Sequence, residues 1–287
     1  MEDSNLRFDL LLPPEIAAKA EKTGVHKGLM PWQQTLLLAI LAGAFIALGA
    51  IFCTTITTGG RALPYGVTKS LGGFAFSLGL ILVVIAGAEL FTGNNLIVMA
   101  WCSRQISLMQ VLRNWGLVYV GNFLGALATA VIMFYGQQYT FSGGVVGMNA
   151  LNIANAKCQL GFVQSIALGM MCNALVCLAV WLCYAAHTVT GKIIAIIFPI
   201  TAFVAAGFEH CVANMYFIPM GLLIKHGAAS AFWAQIGVDV SAYNSLNLNN
   251  FLFANLLPVT LGNIVGGSVM VGMVYWVIYV SGSKRDV

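Results

Sequence analysis

Positions 28 to 60, 114 to 156 and 158 to 191 of this chain contain no Asp, Glu, Lys or Arg. About 20 consecutive apolar residues cross a bilayer, so each of these runs is long enough to do so. Three further runs, 70 to 103, 193 to 224 and 226 to 283, hold a single acid each: Glu89, Glu209 and Asp239. The chain is therefore read as an all-α polytopic membrane protein with six transmembrane helices. The first runs from about Trp32 to Thr57 and the second starts near Ser70. The other four fall in windows 112 to 135, 161 to 186, 193 to 223 and 252 to 280. Charged residues make up only 8% of the chain, against roughly 25% in soluble domains. The net charge of +4 is small and dispersed, which excludes a nucleic-acid footprint. The seven cysteines are scattered and mostly lie in apolar runs, with no metal-ligand or disulfide spacing, so they read as packing residues.

Two interruptions of the apolar pattern match each other. Gly87-Ala88-Glu89-Leu90-Phe91-Thr92-Gly93-Asn94 and Gly207-Phe208-Glu209-His210-Cys211-Val212-Ala213-Asn214 both read G-x-E-x-x-x-x-N. A second pair, Gly121-Asn122-Phe123-Leu124-Gly125-Ala126 and Gly262-Asn263-Ile264-Val265-Gly266-Gly267, follows in the same order. Together they indicate a duplicated three-span unit, and a unit with an odd number of spans must insert its second copy upside down. The second span is rich in glycine and is expected to break at Phe91 to Asn95, with a short piece continuing to Trp101; the fifth span breaks likewise. In span one, Ala39, Ala42, Gly43, Ala47, Gly49 and Ala50 allow close approach of a neighbouring helix.

A break inside a membrane is tolerated where it lines a cavity, and the freed N–H groups at helix-half N termini offer a site for small anions. Phe76, Leu80, Leu90, Phe91, Phe203 and Phe208 surround the two motifs in sequence and would narrow a path and keep it dry. Glu89 and Glu209 have two readings. As intramembrane acids they default to function; as structural groups they accept bonds from loop N–H groups and hold the breaks in shape. The second is preferred, because a permanent carboxylate in an anion path repels its cargo. His210, the only histidine in the middle of an apolar run, is either a satisfied core residue or an active one, and its place beside Glu209 in a predicted break favours activity.

From Pro14 to about Thr23 apolar and charged residues alternate at helical spacing, which reads as an amphipathic helix at the membrane face, either a plain leader or a lid over a pore mouth. With the N terminus inside, nine basic residues fall on the cytoplasmic side, and four (Arg61, Lys69, Lys157, Lys225) fall outside. That balance puts both termini in the cytoplasm. The chain divides into a cytoplasmic amphipathic segment (1–30), a first three-span repeat (31–135), an external connection (136–160), a second, inverted repeat (161–280) and a cytoplasmic tail (281–287). No zinc-protease, Walker or nucleophile-elbow motif is present, so no enzyme activity, cofactor or metal is expected.

With Phe208-Glu209-His210, Ala213-Asn214-Met215, Leu90-Phe91-Thr92 and the two G-N-x-x-G segments in hand, the chain resembles the formate/nitrite transporter family over essentially its whole length. Phe8-Asp9-Leu10-Leu11-Leu12-Pro13 is similar to the formate-channel branch. The resemblance implies an aquaporin-like protomer in the inner membrane, assembled as a homopentamer, each protomer with its own pore. It implies that Thr92 faces His210, and that Phe76, Leu80, Leu90 and Phe203 form the constrictions. Lys157, Asn173 and Asn263 are then polar positions near the path. It also implies that the N-terminal segment gates passage and answers a cytoplasmic enzyme of formate metabolism. The expected cargo is formate, with nitrite or hydrosulfide as alternatives, and proton-coupled secondary transport and neutral-solute flow as rival modes.

The expected mechanism draws the anion in by Lys157 and lets His210 donate a proton at the midplane. Reference values of roughly 6.5 for imidazole and 3.9 for a carboxyl make that transfer unfavourable in water by about 3.5 kcal/mol. A dry constriction penalises both ions and favours the neutral pair.

Overall fold

Helices approach to backbone contact only where side chains are missing, and in this chain four glycines set two such contacts. A Cβ on Gly43 would strike the Asn122 carbonyl, and one on Gly125 the Ile40 carbonyl. In the same way Gly262 abuts the Ile166 carbonyl and Gly266 that of Met170. The computed structural model describes residues 11–282. It contains α1 (Pro13–Leu29), α2 (Trp32–Thr57), α3 (Tyr65–Gly87), α4 (Val98–Cys102), α5 (Leu108–Tyr135), α6 (Val145–Cys158), α7 (Phe162–Ala185), α8 (Val189–Ala205), α9 (Cys211–Gly227), α10 (Ser230–Ile236) and α11 (Asn250–Tyr279), with no strand among the described residues.

Five of these helices, α2, α3, α5, α7 and α11, are long and apolar enough to cross a membrane. The glycine contacts above join α2 to α5 and α7 to α11. Helix α9 lies in the middle of the protein: every residue from Cys211 to Leu222 is buried. Bulk at a backbone contact cannot be absorbed by rotamer changes, so Gly125→Val is expected to lower stability by about 3 kcal/mol. The midpoint of thermal unfolding in detergent measures this, and an unchanged midpoint would show that the α2–α5 contact is not what holds the bundle.

The second apolar span is interrupted at residues 88–92, three residues before the predicted position. Gly87 adopts φ +86°, the left-handed conformation that ends a helix and favours glycine, and Gly207 does the same at φ +73°. Asn94 and Asn95, inside the expected break, sit instead in a 3-10 turn, Gly93–Ile97, that runs straight into α4. The fifth span is interrupted at residues 206–210, between α8 and α9.

Helix α1 is longer than the expected 14–23 and is not a loose leader. Its face of Ile16, Ala17, Ala20, Gly24 and Gly28 is buried. Gly24 sits so close to α4 that an added Cβ would lie 3.1 Å from the Ala100 Cβ. Residues 1–10, including Phe8 to Leu10, and the tail from 283 lie outside the described residues.

Candidate functional site

Each helix break is gripped by the same set of side chains. At the first, Lys27 from α1 meets Glu89 at 2.7 Å and the Asn94 Oδ1 at 2.8 Å. Asn94 donates to the other Glu89 oxygen (2.7 Å) and to Asn114 (2.9 Å), while Asn114 donates to the Lys27 carbonyl (3.1 Å). At the second, Lys157 from α6 meets Glu209 at 2.8 Å. Asn214 donates to Glu209 (2.7 Å) and Asn255 (2.6 Å), and Asn255 donates to the Lys157 carbonyl (3.0 Å). Below each carboxylate an asparagine holds the backbone. Asn122 donates to the Ala39 and Glu89 carbonyls and accepts from the Phe91 N–H. Asn263 donates to the Gly169 and Glu209 carbonyls and accepts from the Cys211 N–H. Helix α6 thus stands to the second break as α1 stands to the first.

Two expectations are corrected by this geometry. The carboxylates do not accept from loop N–H groups; lysine and asparagine side chains satisfy them, which is how a buried charge avoids an uncompensated desolvation cost. Nor are the N–H groups of Phe91, Cys211 and Ala213 free to hold an anion. Asn122, Asn263 and the His210 ring already accept from them.

His210 is the N-cap of α9. Its Nδ1 accepts from the Ala213 N–H at 3.1 Å, and its Nε2 lies 2.9 Å from the Thr92 Oγ1. A backbone N–H can only donate, so Nδ1 carries no proton in this arrangement and the neutral ring holds its hydrogen on Nε2, pointing at Thr92. The Thr92 hydroxyl, receiving that bond, keeps its own hydrogen for another acceptor. Thr92 is held through its carbonyl by Asn173 Nδ2 (3.2 Å) and the Cys177 thiol (3.4 Å). Asn173 also donates to Asn95 Oδ1 and to the Asn263 carbonyl. Asn173 and Asn263 are fully buried, and their amide groups are spent on holding the two breaks together. Both were expected as polar positions near the path; the hydrogen bonds they make run to backbone and side-chain groups in and around the two breaks.

A cavity of about 620 Å³ opens on one side of this centre. Lys157, Glu209, Phe208 and Phe217 line it, and it ends on Phe76 and Phe203. Those two rings meet edge to face at 5.7 Å, Phe217 stacks on Phe76 at 6.3 Å, and Phe203 stacks on the His210 ring at 6.0 Å. His210 therefore sits one aromatic layer beneath the cavity floor. Leu80 and Leu90 belong to the same buried core but do not line the cavity.

Sequence reasoning placed Thr92, His210, Lys157, Phe76 and Phe203 in one neighbourhood, and the structure brings them together. It singled out Asn94, Asn214 and Asn122 as motif positions without giving them a role, and it missed Lys27, Asn114, Asn255, Cys177 and Phe217. One signal was available: Asn114 stands to Asn122 and Gly125 as Asn255 stands to Asn263 and Gly266.

A bundle of apolar, membrane-length helices, with two interrupted segments clamped against each other below a cavity, defines a multi-pass membrane protein of the channel or transporter class. The chain belongs to the formate/nitrite transporter family, whose sequence model matches residues 14–277. It is 44% identical over 272 residues to the formate channel FocA of Escherichia coli K12, covering 95% of each chain. Its identity to FocA of Haemophilus influenzae is 43%, over 95% of this chain and 96% of that one. Among solved structures it is similar to a pentameric formate channel with formate bound (TM-score 0.83, 50% identity, 87% of this chain and 98% of that chain). It is also similar to an ion channel of the same family (TM-score 0.75, 29% identity, 93% and 98%).

Proposed function

We propose that this protein passes formate across the bacterial inner membrane as a homopentameric channel, each protomer carrying its own path through the Phe76–Phe203 layer and past Thr92 and His210. Six crossings arranged as two inverted repeats put both termini in the cytoplasm, with α1 on the face open to a cytoplasmic enzyme of formate metabolism. The broad apolar exterior, with Leu37, Phe74, Ile132, Phe198 and Phe253 exposed, faces lipid and neighbouring protomers.

The observation that carries this reading is the Thr92–His210 pair behind an apolar floor. Formate entering as the anion passes Lys157, slips between Phe76 and Phe203 and reaches Thr92, whose hydroxyl is polarised by the His210 Nε2–H and donates to a formate oxygen. Neutral His210 cannot give up its remaining proton, since that would leave an imidazolate. To protonate formate the ring must first take a proton on Nδ1, which expels the Ala213 N–H and opens the α9 cap at a cost of about 1 kcal/mol. The imidazolium then gives its Nε2 proton through Thr92 to formate, and formic acid leaves on the side away from the cavity; the ring, now neutral with its hydrogen on Nδ1, takes a second proton on Nε2 through Thr92, and the cap re-forms when Nδ1 releases its own.

Uptake of labelled formate into proteoliposomes after a pH jump tests this, with nitrite and hydrosulfide as competitors. Inward flux is expected to rise as the external pH falls, because each acid molecule that crosses takes one proton from that side. If nitrite or hydrosulfide displaces formate at much lower concentration, the cargo assignment is wrong. Thr92→Val removes a hydrogen bond to a charged ligand, worth about 2 kcal/mol, so a flux loss of roughly thirtyfold is expected in the same assay.

A further inference from the structure

The cavity above Phe76 and Phe203 holds a charge that neither clamp uses. The charged residues lining it are Lys69, Lys157 and Glu209. Lys157 and Glu209 neutralise each other at 2.8 Å. Lys69 has no carboxylate within ion-pair distance among the described residues; its ammonium lies instead 5.6 Å from the centre of the Tyr65 ring. An aromatic face attracts a cation without cancelling its charge, so Tyr65 anchors Lys69 and leaves its field intact.

Lys69 is also on the right line. Lys69, Gly72 and Phe76 all line the cavity, and their spacing on α3 puts them on one helix face, so a single stripe runs from the mouth to the constriction. Phe76 lies about 10 Å further along the axis than Lys69. Between them Gly72 offers no side chain; a Cβ there would press on Thr57 and Cys53. An uncompensated cation in a cavity with low-dielectric walls concentrates counter-ions in it.

We propose that Lys69 is the anion-collecting residue of this cavity and sets the rate at which small monovalent carboxylates reach the Phe76–Phe203 layer from that side. The inference rests on the permeation reading given above. With the Lys157 charge taken up by Glu209, Lys69 raises the anion concentration in the space above the floor, without touching the proton chemistry at His210. The effect acts on entry from the cavity side alone and is screened by salt.

The experiment measures initial formate uptake in oriented vesicles, at formate concentrations well below saturation, for wild type, Lys69→Arg, Lys69→Gln and Lys69→Glu. At an ionic strength of about 10 mM, where the screening length is roughly 30 Å, Lys69→Gln is expected to lower entry from the cavity side by about threefold to tenfold. Lys69→Glu lowers it further and Lys69→Arg matches wild type. The difference should close at about 0.5 M salt, where screening acts within a few ångströms, and be missing for entry from the opposite side. Lys69→Gln equal to wild type at every salt, or reduced equally at low and high salt or from both sides, overturns the inference. Failure of Lys69→Arg to match wild type while still assembling would do the same, by pointing to shape and away from charge. If wild type passes no formate at all, the permeation reading falls and this one with it.

Discussion

His210→Asn is expected to remove the pH dependence of formate uptake while leaving the protein folded. Asparagine is as good an N-cap as any residue, and its Oδ1 can accept the Ala213 N–H that His210 Nδ1 now holds. The helix start is therefore preserved and only the titrating ring is lost. Wild-type inward flux is expected to rise as external pH falls; the variant's flux should stay level across the same range, at the rate of the bare anion. General acid catalysis typically contributes at least about a hundredfold, so at acidic external pH the variant should run slower than wild type by roughly that factor. His210→Phe makes a useful contrast, since it loses both the cap and the proton and should also unfold about 1 kcal/mol more easily. A His210→Asn protein whose uptake still climbs with falling pH would show that the proton comes from elsewhere.

Glu209→Leu is expected to be the most damaging single change for folding. Lys157, only partly exposed, would lose the carboxylate 2.8 Å away, and the Asn214 and Asn255 amides would lose the acceptor they share. Removing one member of a buried ion pair costs about 3–5 kcal/mol, mostly because the remaining charge stays buried. The expected result is little or no assembled protein in mild detergent by size-exclusion chromatography. Glu209→Leu combined with Lys157→Met should recover much of the assembly, since replacing both charges by apolar groups is close to neutral. Recovery of fold without recovery of flux would separate the scaffold role of the pair from the part Lys157 plays for the anion. If the single change assembles normally, the clamp is not what fixes the break between α8 and α9.

How much of this was legible in the chain follows from the range of the interactions. The membrane class was visible because long charge-free runs are a local property. The two breaks were visible because glycine and a lone acid in an apolar run are local too. The partners of the acids were not, because Lys27 and Lys157 come from segments 62 and 52 residues upstream, at unequal spacings in the two halves. Helix α6 was hidden inside what reads as a connection, since Ser142-Gly143-Gly144 and the asparagines that follow have the polarity of a loop. Its role became visible only through the atoms at its end, where Lys157 offers both an ammonium to Glu209 and a carbonyl to Asn255. The N-cap role of His210 was also out of reach, because a histidine beside a glutamate gives no sign of which ring nitrogen is occupied.

The two clamps grip loops that differ where it matters for chemistry. The residue after the clamped acid is Leu90 in one loop and His210 in the other. A framework this evenly braced tolerates a hydrocarbon or a base at that place, so reactivity is confined to a single interchangeable site. Exchanging the residue types at 90 and 210 would carry the basic group to the other loop with the two lysine–glutamate clamps untouched, though at the loss of the α9 cap, and the face of the membrane that supplies the proton should change with it.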